Sequence, residues 1–193
     1  MPKLPREFYT RPNVVEISKD LLGKWLFTNV EGKITAGIIT ETEAYEGATD
    51  KACHAYGNRR TKRTETMFAQ GGTSYVYLCY GIHSLFNVVT HEEDKPHAVL
   101  IRAIKPAEGI DTILQRRKSN KLRKDLTVGP GKVTRALGIH YKQHDAIDLL
   151  GNQVWIEDRG ITVPEKDIIV SQRIGVDYAE EDSLLPYRFQ VNL

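Results

Sequence analysis

Apolar residues along the chain follow two rhythms. From Asn13 to Leu22, Val14, Val15, Ile17, Leu21 and Leu22 fall near one face of a helix. Asn13 is placed to cap that helix and Gly23 to end it. Lys24 to Val30 and Lys33 to Tyr45 read as two strands joined at Glu31-Gly32, a hairpin signal. Further strands are predicted over 73–80, 85–90 and 97–103, with short ones over 153–156, 167–170 and 187–191. Helices are predicted over 107–117, with Ile110, Ile113 and Leu114 on one side, and over 132–137, closed by Gly138. Residues 5–9 read as an extended lead-in, and 47–67 as a long polar loop with one short helix. Strands come in blocks rather than alternating with helices, so the pattern predicts an α+β fold with a mainly antiparallel sheet.

The 193 residues fit one domain spanning 1–193. A composition of 40% hydrophobic and 27% charged residues argues against disorder, collagen and coiled coil. The longest apolar-or-tyrosine run, 75–80, is far too short for a membrane span, and the N-terminus lacks a signal-peptide core. A soluble intracellular protein is expected, cytoplasmic in a bacterium or nuclear in a eukaryote, with no membrane partner. Two cysteines, Cys53 and Cys79, cannot build a disulfide framework or a Cys-rich zinc site. The net charge of +2 says little, but its distribution says more. Arg59, Arg60, Lys62 and Arg63 form one basic cluster and 116–124 another, while acids gather at 92–94 and 180–182. That segregation suits a polyanion, and equally two solvated basic loops.

Candidate chemistry concentrates on the second strand. Alternation places Thr35, Gly37, Ile39, Glu41, Glu43 and Tyr45 on one face and Ile34, Ala36, Ile38, Thr40 and Thr42 on the other. Glutamate is depleted in strands, so two at the end of an apolar one ask for a reason: acid/base chemistry or a solvent-facing strand end. His54 follows on the polar loop, with a flat face and two ring nitrogens. His140 and His144 have metal-ligand spacing, but Gly138 and the polar stretch around them favour a loop, and no Cys-x-x-Cys exists; no metal or cofactor is expected. Tyr75 and Tyr77 share a strand face, while Tyr80 abuts Gly81 at a hairpin tip. Such rings either pack or stack on bases. Asn87 and Arg102 sit among apolar strand residues and need partners if buried; Glu43 is one candidate for Arg102 and a DNA phosphate another.

Taken together, Glu41-Thr42-Glu43-Ala44-Tyr45 with Gly47, Asp50 and Ala52-Cys53-His54 resembles the signature of the alkyladenine (3-methyladenine) DNA glycosylase family of the mammalian type. So do Tyr75-Val76-Tyr77-Leu78-Cys79-Tyr80-Gly81, Asn87, Leu100-Ile101-Arg102-Ala103, Gly129-Pro130-Gly131-Lys132 and Arg173-Ile174-Gly175-Val176. The motifs run in order over about residues 6–190.

The resemblance implies a monofunctional DNA-repair glycosylase without lyase activity, acting as a monomer on double-stranded DNA containing damaged purines. Glu43 would be the general base for water, with Arg102 and the backbone carbonyl of Ile174 holding that water. Tyr45 and His54 would stack on one face of the flipped base and Tyr77 on the other. His54 would also bond the base edge, and Asn87 would clash with the 2-amino group of normal guanine. Tyr80 would wedge into the vacated duplex, while Arg59, Arg60, Lys62, Arg63 and Lys132 would meet the DNA. His83, where relatives can carry another aromatic, would alter base selectivity, and Glu41 would pair with a basic neighbour. The expected architecture is a compact domain whose curved antiparallel sheet carries the pocket and whose Tyr80 hairpin protrudes.

Overall fold

The computed structural model describes residues 2–193. A single curled antiparallel sheet of eight strands organises the molecule. Its spine is β2 (Lys33–Tyr45), thirteen residues long. The first half of β2 pairs with β1 (Trp25–Val30). On the same edge β8 (Arg188–Gln190) takes over opposite Glu41, Thr42 and Glu43. The other edge pairs with β5 (His97–Glu108), followed by β4 (His83–Thr90) and β3 (Ser74–Cys79). β6 (Val154–Glu157) flanks β1, and β7 (Ile169–Ser171) flanks β8.

Helices cover one face of this sheet. Asn13 caps α2 (Val14–Asp20), its side-chain oxygen accepting from the amides of Val15 and Glu16. Ile17 of α2, Ile113 of α3 (Ile110–Arg117) and Val133, Ala136 and Leu137 of α4 (Pro130–Leu137) pack on Ile39, Phe86, Val88, Val99 and Ile101. All are buried, so this layer supplies most of the apolar burial that holds the sheet.

The alternation expected for β2 fails at its middle. Ile39 lies in the core, yet so does Ala44, and Thr42 donates to the carbonyl of Ser18 on α2. The register with β5 shifts between Ile39 and Glu41 and again between Glu41 and Thr42. This bulge inserts one residue and swaps the strand's faces. Without it, Glu41 and Glu43 would follow Ile39 into the hydrocarbon core. With it, they and Tyr45 turn to the opposite face, where Ala36 already packs against Phe27 and Trp155.

Other departures are smaller. Residues 6–9 form a helical turn, α1 (Arg6–Tyr9), rather than an extended lead-in; the Arg6 guanidinium ties it to the Gly71 carbonyl and to Asp148. One turn is too short for periodicity to show. Likewise 141–144 forms a turn, α5 (Tyr141–His144), instead of a loop, and the His140 ring nitrogen accepts from the amide of Lys142. His144 is buried against the His140 backbone, which gives the two histidines a local structural use. β4 starts two residues early, at His83. β5 runs through Pro106 to Glu108, where a helix was expected, because the β2 ladder continues to Ala36↔Glu108. β7 is displaced by two residues, Asp167 belonging to a 3-10 turn.

Gly109 makes the abrupt change from β5 to α3 possible. Its φ is +67°, and a Cβ there would lie 2.3 Å from the Ile34 carbonyl oxygen. Gly57 has a similar φ, +65°, but open space around it. Gly109→Ala is therefore expected to destabilise by at least about 2 kcal/mol, combining strain with backbone overlap, and Gly57→Ala by only about 1 kcal/mol. Urea unfolding of the two variants checks this order.

Candidate active site

Glu43 is a carboxylate without solvent: its side chain is 0% exposed. Donors from three segments surround it. The Tyr45 hydroxyl donates to Oε2 at 2.8 Å, the Ile174 amide to Oε1 at 2.8 Å, and Arg102 Nη1 reaches Oε2 at 3.3 Å. Burial pushes the Glu43 pKa above the ordinary carboxylate range, while Arg102, the Ile174 amide and the Tyr45 hydroxyl oppose that rise. The same shift makes Glu43 a stronger base once ionised.

Glu41 has a different setting. It accepts from Arg102 Nε at 2.9 Å and from Arg188 Nε at 2.7 Å, so two guanidiniums share its charge. Arg102 thus spans both carboxylates. Its own burial is tolerable because each glutamate takes one of its N–H groups.

In front of this cluster lies a cavity of about 790 Å³. Tyr45, His54, Tyr77, Asn87, Arg102 and Ile174 all line it; Glu43 itself stands just behind, screened by three of them. The floor is the cluster of Cys53, Ala55, Met67, Phe68 and Tyr75, against which Tyr45 and Tyr77 pack. This volume, apolar walls and a few convergent polar groups suit one flat heterocycle and its sugar.

The aromatic side chains are fixed in detail. His54 Nδ1 lies 3.0 Å from the Tyr75 hydroxyl, and its ring meets Tyr77 edge-on with centroids 4.7 Å apart. The two ring planes stand at 77° to one another, so His54 is not parallel to Tyr77. Asn87 is buried, and its amide donates to the Tyr75 carbonyl at 3.1 Å. From Ile174 the backbone amide engages Glu43 directly.

At the cavity mouth the β3–β4 hairpin protrudes. Tyr80 at its tip is 88% exposed, with φ +50°. Ile82, which sequence reasoning passed over, is 75% exposed on the same tip. His83 packs on Gly131 at the start of α4. Lys132 and Arg135 also line the mouth, with the Lys132 ammonium bonded to the Asp125 carbonyl.

The basic clusters separate into two kinds. Arg59 and Lys62 are exposed, and Arg63 lines the cavity with its guanidinium over the Tyr77 ring at 5.1 Å. Arg60 is instead committed to Glu65 and Asp94. Arg116 is bonded to Thr35 and the Ala136 carbonyl, and Arg117 to the Leu126 carbonyl, so that these two of the six basic residues in the second cluster brace the fold. Among the described residues no group of three or more His, Cys, Asp or Glu side chains is arranged to hold a metal, and no helix is long and apolar enough to cross a membrane.

Burial, then the nearby cations Arg63 and Arg59, lowers the His54 pKa from 6.5 to about 4. The folded protein therefore binds fewer protons here than the unfolded chain between those values, and stability contributed above pH 6.5 is lost as pH falls toward 4. Thermal melts are expected to show wild type losing stability more steeply than His54→Gln between pH 6.5 and 4. Parallel curves would contradict a half-buried, neutral His54.

Comparison with known proteins agrees over nearly the whole chain. The family described as methylpurine-DNA glycosylase (MPG) matches residues 7–192. A relative from Chlamydia felis (strain Fe/C-56) is 49% identical over 191 residues, covering 98% of this chain and 96% of that protein. One from Desulfitobacterium hafniense (strain Y51) is 44% identical over 196 residues, covering 98% and 95%. Both carry the name "Putative 3-methyladenine DNA glycosylase". With its full-length match and its carboxylate-backed aromatic cavity, the chain belongs to the methylpurine-DNA glycosylase family, the DNA-repair hydrolases that release bases from DNA.

Proposed function

We propose that the protein flips alkylated or deaminated purine nucleotides out of duplex DNA and hydrolyses their N-glycosidic bond with a water activated by Glu43. The observation that carries this reading is the buried Glu43 carboxylate with Arg102, screened behind an aromatic cavity. Unlike Glu41 and Asp50, whose charges are taken up by guanidinium Nε or bidentate contacts, Glu43 has its pKa raised by burial and stands directly behind the cavity, which a module that only bound DNA would not require.

In the proposed reaction the flipped base lies against Tyr45 and Tyr77, with the edge of His54 reading its polar rim. A cationic purine, alkylated at N3 or N7, favours such electron-rich rings. C1′ then faces Glu43. Water oxygen bonds to C1′, the C1′–N bond breaks with its electron pair leaving on the purine, and Glu43 takes the water proton. The carboxylate also stabilises the oxocarbenium-like C1′ as charge develops. A cationic purine leaves as a neutral base and needs no further proton. 3-Methyladenine and 7-methylguanine are thus the simplest substrates, while hypoxanthine and etheno-adenine require protonation during departure.

The nucleophile is assigned to water. Of the lysines, Lys132 alone lines the cavity, at its mouth and bonded to Asp125, so an amine attack leading to strand cleavage has no support. Asn87, anchored to the Tyr75 carbonyl, restricts the room for a guanine 2-amino group. Tyr80 and Ile82 project where an apolar wedge would replace the flipped nucleotide. Arg59, Lys62, Arg63 and Lys132 supply phosphate attraction, and the protein acts as a monomer.

The test is base release from a duplex oligonucleotide with one central 7-methylguanine or hypoxanthine, read by alkaline cleavage at the abasic site. Wild type is expected to release the base and Glu43→Gln to fall by at least about 100-fold, with DNA binding retained. The wild-type rate should drop on the acid side through a pKa above the usual carboxylate range, since the base must be ionised. Equal release by both proteins would remove Glu43 from the mechanism.

A further inference from the structure

Behind the cavity lies a second buried charge pair to which no role has been given. The Arg173 and Asp50 side chains are 0% and 1% exposed, and their contact is bidentate: Nη1 meets Oδ2, and Nη2 meets Oδ1 at 2.9 Å. Asp50 also accepts from the amides of Glu46 and Ala52, which fixes it to the turn after β2.

Arg173 touches the surroundings of Glu43 in three ways. Its Nη1 donates to the carbonyl of Ala44, the residue between Glu43 and Tyr45, at 2.9 Å. Its guanidinium carbon lies 4.9 Å from the centre of the Tyr45 ring, whose residue lines the cavity. The next residue in the chain, Ile174, supplies the amide that donates to Glu43 Oε1. Both uncharged donors on Glu43, the Tyr45 hydroxyl and the Ile174 amide, are therefore held by one guanidinium. We propose that the Asp50–Arg173 pair is a positioning device for Glu43, fixing the Tyr45 hydroxyl on one carboxylate oxygen and the Ile174 amide on the other. This rests on the assignment of Glu43 as the base.

The pair contributes no net charge, which makes the proposal separable from a simple electrostatic effect. The charged and titratable groups facing Glu43 are Glu41 and Tyr45 on β2, Arg102 on β5, Arg188 on β8 and Arg173 on the loop. Replacing both members of the pair leaves the other four in place and the net charge unaltered.

The experiment compares wild type with Asp50→Asn/Arg173→Met, using Tyr45→Phe as the reference for loss of one donor. The Glu43 carboxyl is titrated in the free protein by carbon-13 NMR, and the pH profile of single-turnover base release is measured on the 7-methylguanine duplex. Losing both donors should raise the Glu43 midpoint by about one pH unit or more and move the acid limb equally. The rate at neutral pH should fall roughly tenfold with KM within about threefold, because the cavity walls remain. A folded double variant whose Glu43 titrates as in wild type overturns the proposal. If the double variant does not fold, Arg173→Lys takes its place: it keeps the charge but loses the flat fork, and must still raise the midpoint. Should wild type release no base at all while the midpoint shifts as expected, the positioning device stands and the assigned reaction falls.

Discussion

A carboxylate with no access to water governs the layout of this protein. Leaving Glu43 ionised inside the fold is costly unless its oxygens are occupied, and the chain meets that demand from three directions. β2 supplies Glu43 and Tyr45, β5 supplies Arg102, and the loop after β7 supplies the Ile174 amide. These segments are distant in sequence and adjacent only because β2 is the spine of the sheet. The bulge after Ile39 is part of the same solution, since it turns the acidic end of the strand away from the helix-covered core.

The cavity follows from that arrangement. Tyr45, Arg102 and Ile174 screen Glu43 and at the same time form the wall a ligand would meet. Around them the aromatic residues brace one another: His54 on Tyr75 and Tyr77, Arg63 over Tyr77, Arg173 behind Tyr45. The exposed apolar tip of the hairpin sits at the cavity mouth. It has no packing role in the isolated protein, which is where an element that works only in a complex should stand.

Much of this was legible in the sequence. Long strands with clear alternation, the Asn13 cap and the Tyr80-Gly81 turn are local signals, and Glu43, Tyr45, His54, Tyr77, Asn87 and Arg102 do gather at one site. What escaped was non-local. A bulge leaves no mark on a strand that alternates in both halves, so the carboxylates were given the correct face relative to each other but the same face as Ile39. Arg116 reads as a surface charge because its partners, Thr35 and the Ala136 carbonyl, are set by folding, and the pairing of the exposed Arg60 with Glu65 and Asp94 is hidden for the same reason. Arg173 carried no periodic signal at all, and Asp50 lies 123 residues before it.

The central claim is spatial: a nucleotide enters this cavity with C1′ toward Glu43. The most direct measurement is a crystal structure of the Glu43→Gln protein on a duplex holding one 7-methylguanine. The expected result is the lesion extrahelical against Tyr45 and Tyr77, Tyr80 in the vacated stack, and a water between C1′ and residue 43 within reach of Arg102. A lesion still stacked in the duplex, or one bound with C1′ turned away from residue 43, would contradict it.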